Sequence, residues 1–225
     1  MQMKINALFD FFKTLLLAVI FCGGLIYADG HMLLTLQNYQ YTADDFPPYF
    51  FERGLTKIID TENSFQFKTY RLGLKFDMVE YKANIRPVLL KWGAAEYIPK
   101  TQSYDSSFLS RGMEENIKLD SYTGSFTKEI HVVTYQGRIE AVSYAENAEM
   151  QVPKIEIIAA NPEGLVTGQT TIVKGGGSAL MDYMLRRFKS KGVKSVRIFS
   201  TNDKYYADRG WQEDEIEDNN CTVML

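Results

Sequence analysis

The sequence predicts an α/β chain, α+β in the make-up of one mixed sheet, behind an N-terminal hydrophobic leader. Three observations carry that prediction: a β-rich hairpin over Lys128–Ala145, a strand–glycine loop–helix–strand succession over Lys154–Trp211, and an apolar run that ends at Ala28. A length of 225 residues suits one domain, or one domain with an appendage, and 45% hydrophobic with 13% aromatic residues are ample for a buried core. The formal charge of −3 provides no global field for nucleic acid or an anionic membrane surface, so no nucleic-acid partner is expected.

Residues 1–28 read as a targeting segment. Lys4 and Lys13 precede the run Thr14–Ala28, whose length matches the apolar part of a signal peptide, and Ile26-Tyr27-Ala28 offers a cleavage site. Counted from Ala7, the apolar stretch is long enough for an uncleaved anchor, so membrane contact falls on residues 7–28; a buried helix is the third reading. Either membrane reading places the body outside the cytoplasm, secreted or anchored, because the lysines precede the apolar run. A cytoplasmic location stays open. Cys22 follows bulky Phe21, which argues against lipidation, and removal of the leader would leave Cys221 as the one cysteine. Two histidines, His31 and His131, lack ligand spacing, so no metal site is expected.

From His31 to about Tyr41 the pattern suits a strand, and Thr42 followed by Asp44 and Asp45 suits a helix start. Phe50, Phe51, Leu55, Ile58 and Ile59 continue at near-helical spacing, although Pro47-Pro48 must sit in the first turn or delay it. Phe65 to Phe76 suggests strand, Val88 to Ile98 strand or short helix, and Tyr104 to Lys118 a polar helix with Asp105, Glu114 and Glu115 on a solvated face. Gln136-Gly137-Arg138 turns the hairpin that follows. No linker splits residues 29–225 into two domains.

Lys154–Ala160 is an apolar strand carrying one carboxylate, Glu156. Buried, it would have a raised pKa and suit a general base; the alternative is a strand-end glutamate facing solvent. Gly175-Gly176-Gly177 lets backbone amides approach a ligand and opens a helix whose Leu180, Met181, Met184, Leu185 and Phe188 share one face. The P-loop pattern does not fit, since no Gly-Lys-Ser/Thr follows four variable positions after a glycine, and the dinucleotide-binding pattern does not fit, since Leu180 stands at the third glycine's place. Arg186 to Lys191 complements the helix C-terminus.

Together these pieces resemble the GNAT superfamily of acyl-CoA-dependent N-acyltransferases. The likeness rests on the strand Ile155–Pro162, the glycine loop and helix, Val193–Thr201 with Asn202, and Tyr206-x-x-x-Gly210-Trp211, and it is close over residues 128–211. It implies a fold with splayed central strands, an acetyl-CoA-binding core over residues 126–225, and a divergent acceptor-side part over 29–125. It also implies acetyl-CoA as co-substrate and a primary amine, small molecule or protein, as acceptor. By the same resemblance, backbone groups near Ala159 and Ala160 pair with the pantetheine arm, and the amides of Gly175, Gly176, Gly177 and Ser178 hold the pyrophosphate. Asn202 touches the cofactor arm, Tyr206 protonates the departing thiolate, and Glu156 takes the amine proton. Three departures stand out: Ile172 replaces the family's Gln or Arg, the loop Glu163–Lys174 is long, and Tyr206 follows Asn202 closely, so Tyr205 competes for its role. Lys174 is a candidate for the missing charge. Because acetyl-CoA is cytosolic, an exported enzyme would act as an effector in another cytosol; the competing reading is a degenerate, membrane-tethered CoA-binding or interaction module.

Overall fold

The computed structural model describes residues 30–52, 56–124, 126–200 and 203–214. The leader, Cys221 and Asn202 lie outside the described residues. A seven-stranded mixed sheet runs in the order β4-β5-β6-β7-β8-β1-β9. Its strands are β1 (His31–Thr35), β4 (Gln66–Arg71), β5 (Lys128–Tyr135), β6 (Arg138–Glu146), β7 (Lys154–Ala160), β8 (Ser195–Phe199) and β9 (Gln212–Glu213). A separate hairpin joins β2 (Tyr49–Glu52) to β3 (Thr56–Ile59). The helices are α1 (Lys75–Glu80), α2 (Arg86–Ala94), α3 (Gln102–Thr123), α4 (Gly176–Ser190) and α5 (Asp203–Ala207), with a π turn, Tyr81–Ile85, between the first two.

The β5–β6 turn forms where its glycine places it, with Gln136 at φ 49° and Gly137 at φ 79°, the left-handed pair a two-residue hairpin requires. Every pairing in the sheet is antiparallel except that of β7 with β8, which is parallel and comprises two residue pairs, Lys154 with Arg197 and Ile155 with Ile198. Beyond Ile155 the two strands share no further pair, so the C-terminal half of β7, paired with β6 on one edge, has no strand partner on the edge facing β8. β1, from the start of the described chain, lies antiparallel to β8 over five pairs and touches β9 on its other edge.

Apolar layers cover both faces of the sheet. Met184, Leu185 and Phe188 of α4 pack against Met32, Leu34, Ile155, Val196, Ile198 and Trp211. On the opposite face Leu89, Trp92, Met113 and Ile117 pack against Tyr70, Ile130, Val142, Tyr144 and Ala159. Each such buried side chain contributes about 1.5–3 kcal/mol. The face of α3 nearest the sheet is built differently. Ser103, Ser106, Ser107 and Ser110 are buried there. Three of these hydroxyls bond to carbonyls: Ser106 to Ala160, Ser107 to Ala95 at 3.0 Å, and Ser110 to Ser106 at 2.7 Å. These small polar residues let the helix lie close to the sheet without leaving a buried donor unmatched.

One expectation changes and one open alternative is resolved. The helix expected from Thr42 onward is a single 3-10 turn, Ala43–Asp45, followed by the β2–β3 hairpin. Pro47-Pro48 prevents continuation, and aromatic and β-branched residues then favour paired strands. Val88–Ile98 resolves as helix, which ends at Ala94. Among the described residues, no helix is long and apolar enough to cross a membrane.

His131 on β5 is fully buried, with Nδ1 2.9 Å from Thr69 Oγ1. Burial, aided by the Arg187 charge, pulls its pKa down to about 3. Glu129 Oε2 lies 3.8 Å from Nε2, but that carboxylate is committed to Arg187 at 3.2 and 3.3 Å. A histidine whose folded pKa falls below 6.5 leaves the unfolded chain binding the extra proton, so stability drops as pH falls from that value toward 3. The slope reaches at most about 1.4 kcal/mol per pH unit. Urea unfolding between pH 7 and pH 4 is expected to show this slope in the native chain and a shallower one in His131→Leu.

Candidate active site

A cavity of about 510 Å³ opens at the C-terminal end of β7, on the side that β8 vacates. Ile158, Ala160 and Asn161 form one wall and the start of α4 another. Tyr205 and Tyr206 of α5, Asp105 and Ser106 of α3, and Tyr49 and Phe51 of β2 complete it. Ligands of open α/β sheets commonly occupy such a strand-end crevice.

The glycine loop owes its shape to local contacts. Gly175, the residue preceding α4, has φ 97°, and a side chain there would meet Tyr49 Cε1 at 3.1 Å and Pro47 O at 3.2 Å. A Cβ on Gly176 would lie 2.8 Å from Glu140 Cβ. Gly177 is looser, with Ala160 Cβ at 3.6 Å. The first helical bond of α4 runs from Ala179 N–H to Gly175 O, 2.9 Å. The N–H groups of Gly176, Gly177 and Ser178 therefore have no intrahelical acceptor and border the cavity at the positive end of the helix dipole.

The long segment before the loop is internally tied. Gln169 Nε2 donates to Gly164 O at 2.8 Å, its Oε1 accepts from Ile172 N–H at 2.8 Å, and Lys174 Nζ donates to Gly164 O at 2.7 Å. Lys174 also exchanges backbone bonds with Tyr49, which fixes the β2–β3 hairpin beside the loop. Burial lowers the pKa of this lysine. Its ammonium lies 5.6 Å from the Phe51 ring centroid.

The two tyrosines differ in partners. Tyr205 shares a 2.8 Å hydrogen bond with Ser178 Oγ, and Arg209 stacks 3.7 Å from its ring centroid. Tyr206 packs edge-on against Trp211, with centroids 5.6 Å apart, and burial first, then Tyr205, raises its phenol pKa far above the usual value. It therefore keeps its proton at physiological pH.

Ala160, Lys174, Gly175, Gly176, Gly177, Ser178 and Tyr206 thus meet in one cavity. Ala159 is buried against the other face of the sheet. Glu156 does not line the cavity. The β6–β7 register shifts between Tyr144 and Ala145, whose partners are Ile157 and Ile155, so Glu156 is the bulged residue. Its carboxylate lies 3.5 Å from Lys128 Nζ and 3.4 Å from Lys154 Nζ, and Lys128 also contacts Asp120 at 3.1 Å. Two other carboxylates do line the cavity, Asp105 and Glu140. Burial raises the Glu140 pKa against the opposing pull of Arg138 and a 3.3 Å bond from Asn161. The same sequence signal, an acid in an apolar strand, marks Glu140 between Ile139 and Ala141.

No protein-family model and no curated protein sequence matches the chain. It is similar to several solved structures. One is the C-terminal domain of a protein described as a lysylphosphatidylglycerol synthetase from Agrobacterium fabrum, at TM-score 0.43 and 11% identity over 75% of this chain and 46% of that one. Another is a tandem GNAT protein from the clavulanic acid biosynthesis pathway, at 0.40 and 12% over 82% and 49%. A third is a PaiA N-acetyltransferase from Thermoplasma acidophilum in complex with coenzyme A, at 0.35 and 12% over 65% and 88%. The chain spans less than half the length of the first two.

The glycines should respond unequally to a methyl group. Gly176→Ala is expected to cost about 1–3 kcal/mol by overpacking against Glu140, while Gly177→Ala stays within about 1 kcal/mol of the native chain. Denaturant midpoints of the two variants check the difference.

Proposed function

We propose that the chain is an acyltransferase that moves an acetyl group from acetyl-CoA to an amine. The observation that carries this reading is the convergence of three features in one cavity: the parting of β7 from β8, the unpaired amides at the start of α4, and two tyrosines in the lining. A pyrophosphate suits the glycine loop because the amides of Gly176, Gly177 and Ser178 have no intrahelical acceptor and border the cavity at the positive end of α4. When bound, the co-substrate supplies a thioester activated toward attack by an amine.

In this reading the amides of Gly176, Gly177 and Ser178 hold the pyrophosphate, and Lys174 adds positive charge beside it. The open edge of β7 at Ala160 orients the pantetheine arm; the carbonyl of Ala160 already accepts from Ser106, so this strand end is held in place from α3. Asn202, outside the described residues, keeps the cofactor-arm role as a proposal. Tyr206, neutral and in the cavity wall, donates a proton to the departing sulfur. Tyr205, tied to Ser178, positions the loop. The amine's proton passes to a lining carboxylate, Asp105 or Glu140, or to solvent, since Glu156 is held between lysines outside the cavity.

That placement of Glu156 also favours a second reading, a module that binds CoA or a partner without turnover. Isothermal titration with acetyl-CoA and thiol release assayed over a panel of amines separate the two. The first reading expects saturable binding and turnover, with Tyr206→Phe lowering kcat about a hundredfold or more at little change in affinity, and Tyr205→Phe lowering it less. Binding without turnover in the native chain selects the second, and absence of binding ends the first and the CoA-binding form of the second. Export or tethering through residues 7–28 is a separate proposal. Recovery of the intact, uncleaved chain in the cytosolic fraction would overturn it.

A further inference from the structure

A groove of about 310 Å³ lies between the C-terminal half of α3 and the π turn that joins α1 to α2, and it shares no residue with the cavity above. Tyr81, Lys82 and Arg86 line one side, and Glu114, Lys118 and Tyr122 the other. Within it, two features lack a structural reason. One is the π turn itself, an interruption of α-helical bonding that is frequent at functional positions. The other is the Tyr81 side chain: the residue is 2% exposed, and its hydroxyl is buried with no hydrogen-bond partner. An unmatched buried hydroxyl is costly, and a bound acceptor would remove the cost. Burial holds the phenol well above its ordinary pKa, so the oxygen keeps its proton and is a donor.

The charges around it favour an anion. Arg86 and Glu114 are paired at 2.7 Å and largely cancel. Lys82 and Lys118 have no ion pair among the described residues. Arg86 meets Glu114 through Nε alone, so the two lysines are the charges in the lining that no carboxylate offsets. Two lysines on different helical segments, with Tyr81 also in the lining, suit the compact charge and several oxygens of a phosphate.

We propose that this groove binds a phosphate group, with Lys82 and Lys118 supplying charge and the Tyr81 hydroxyl donating to one oxygen. The same two helices carry exposed apolar side chains: Phe76 and Val79 on α1, and Leu119 and Tyr122 on α3. The phosphate can therefore belong to a small soluble ester or to a phospholipid headgroup.

The test uses the full chain at fixed ionic strength with two probes, glycerol 3-phosphate by isothermal titration and vesicles of phosphatidylcholine with or without phosphatidylglycerol by sedimentation. The expected result is saturable binding to one of them that Tyr81→Phe weakens about tenfold and that Lys82→Gln combined with Lys118→Gln abolishes. Glycerol 3-phosphate binding assigns a soluble ester, and phosphatidylglycerol-dependent sedimentation alone assigns a headgroup. Tyr81→Phe keeps the ring in the core, and residues 7–28 are present in every variant, so neither misfolding nor the leader accounts for a difference. Absence of binding to both probes, or binding that Tyr81→Phe leaves unchanged, overturns the proposal. The second outcome would identify general attraction to lysines.

Discussion

The two-pair contact between β7 and β8 is the constraint on which the rest of the candidate site depends. Two parallel strands that stayed paired would fill the crevice with backbone hydrogen bonds and leave nothing for a ligand. Pairing that stops after Ile155 holds the halves of the sheet together at one end and lets them separate at the other. The separated end still has to be stable. α3 meets it on one face through the Ser106 hydroxyl on Ala160 O, and α4 on the other through the packing of Gly177 against Ala160. Polar backbone exposed on β7 is thus fixed in position without being wholly consumed.

The bulge at Glu156 belongs to the same arrangement. One extra residue in β7 lets Ile155 face α4 while Ile157 and Ala159 face α3, and the carboxylate goes to the lysines beside it. In a strictly alternating strand Glu156 would lie on the same face as Ile158 and Ala160, which line the cavity. A single slip in register therefore decides whether this acid is near the crevice or away from it.

What was legible in the sequence was what short-range chemistry encodes. The Gln136-Gly137 turn, the glycines opening α4 and the spacing from Tyr206 to Trp211 each depend on neighbours within a few residues, and each appears where its residue types place it. The misses depend on distant partners. Nothing near Glu156 announces a bulge, because the register is set against β6. The hairpin that contributes Tyr49 and Phe51 has apolar spacing that also suits a helix, and its identity is settled by the Pro47-Pro48 stop and by pairing with Lys174. The serines of α3 read in sequence only as part of a polar helix, because the carbonyls that match their hydroxyls on burial belong to other segments.

The position of β1 has a consequence for how the chain acquires its structure. Strands β4 to β7 and the helices over one face come from a continuous stretch and can assemble early. β8 has its longest pairing with β1, through contacts such as Leu34 with Val196, whose partners are separated by most of the chain. Closing a loop of that length carries an entropy cost on the order of 4 kcal/mol, and non-local pairing of this kind slows folding. During synthesis, Met32 and Leu34 must wait with their apolar side chains unpaired until Val196 and Ile198 emerge. The half of the sheet that bounds the crevice opposite β7 therefore depends on a far longer loop closure than the β4–β7 half does.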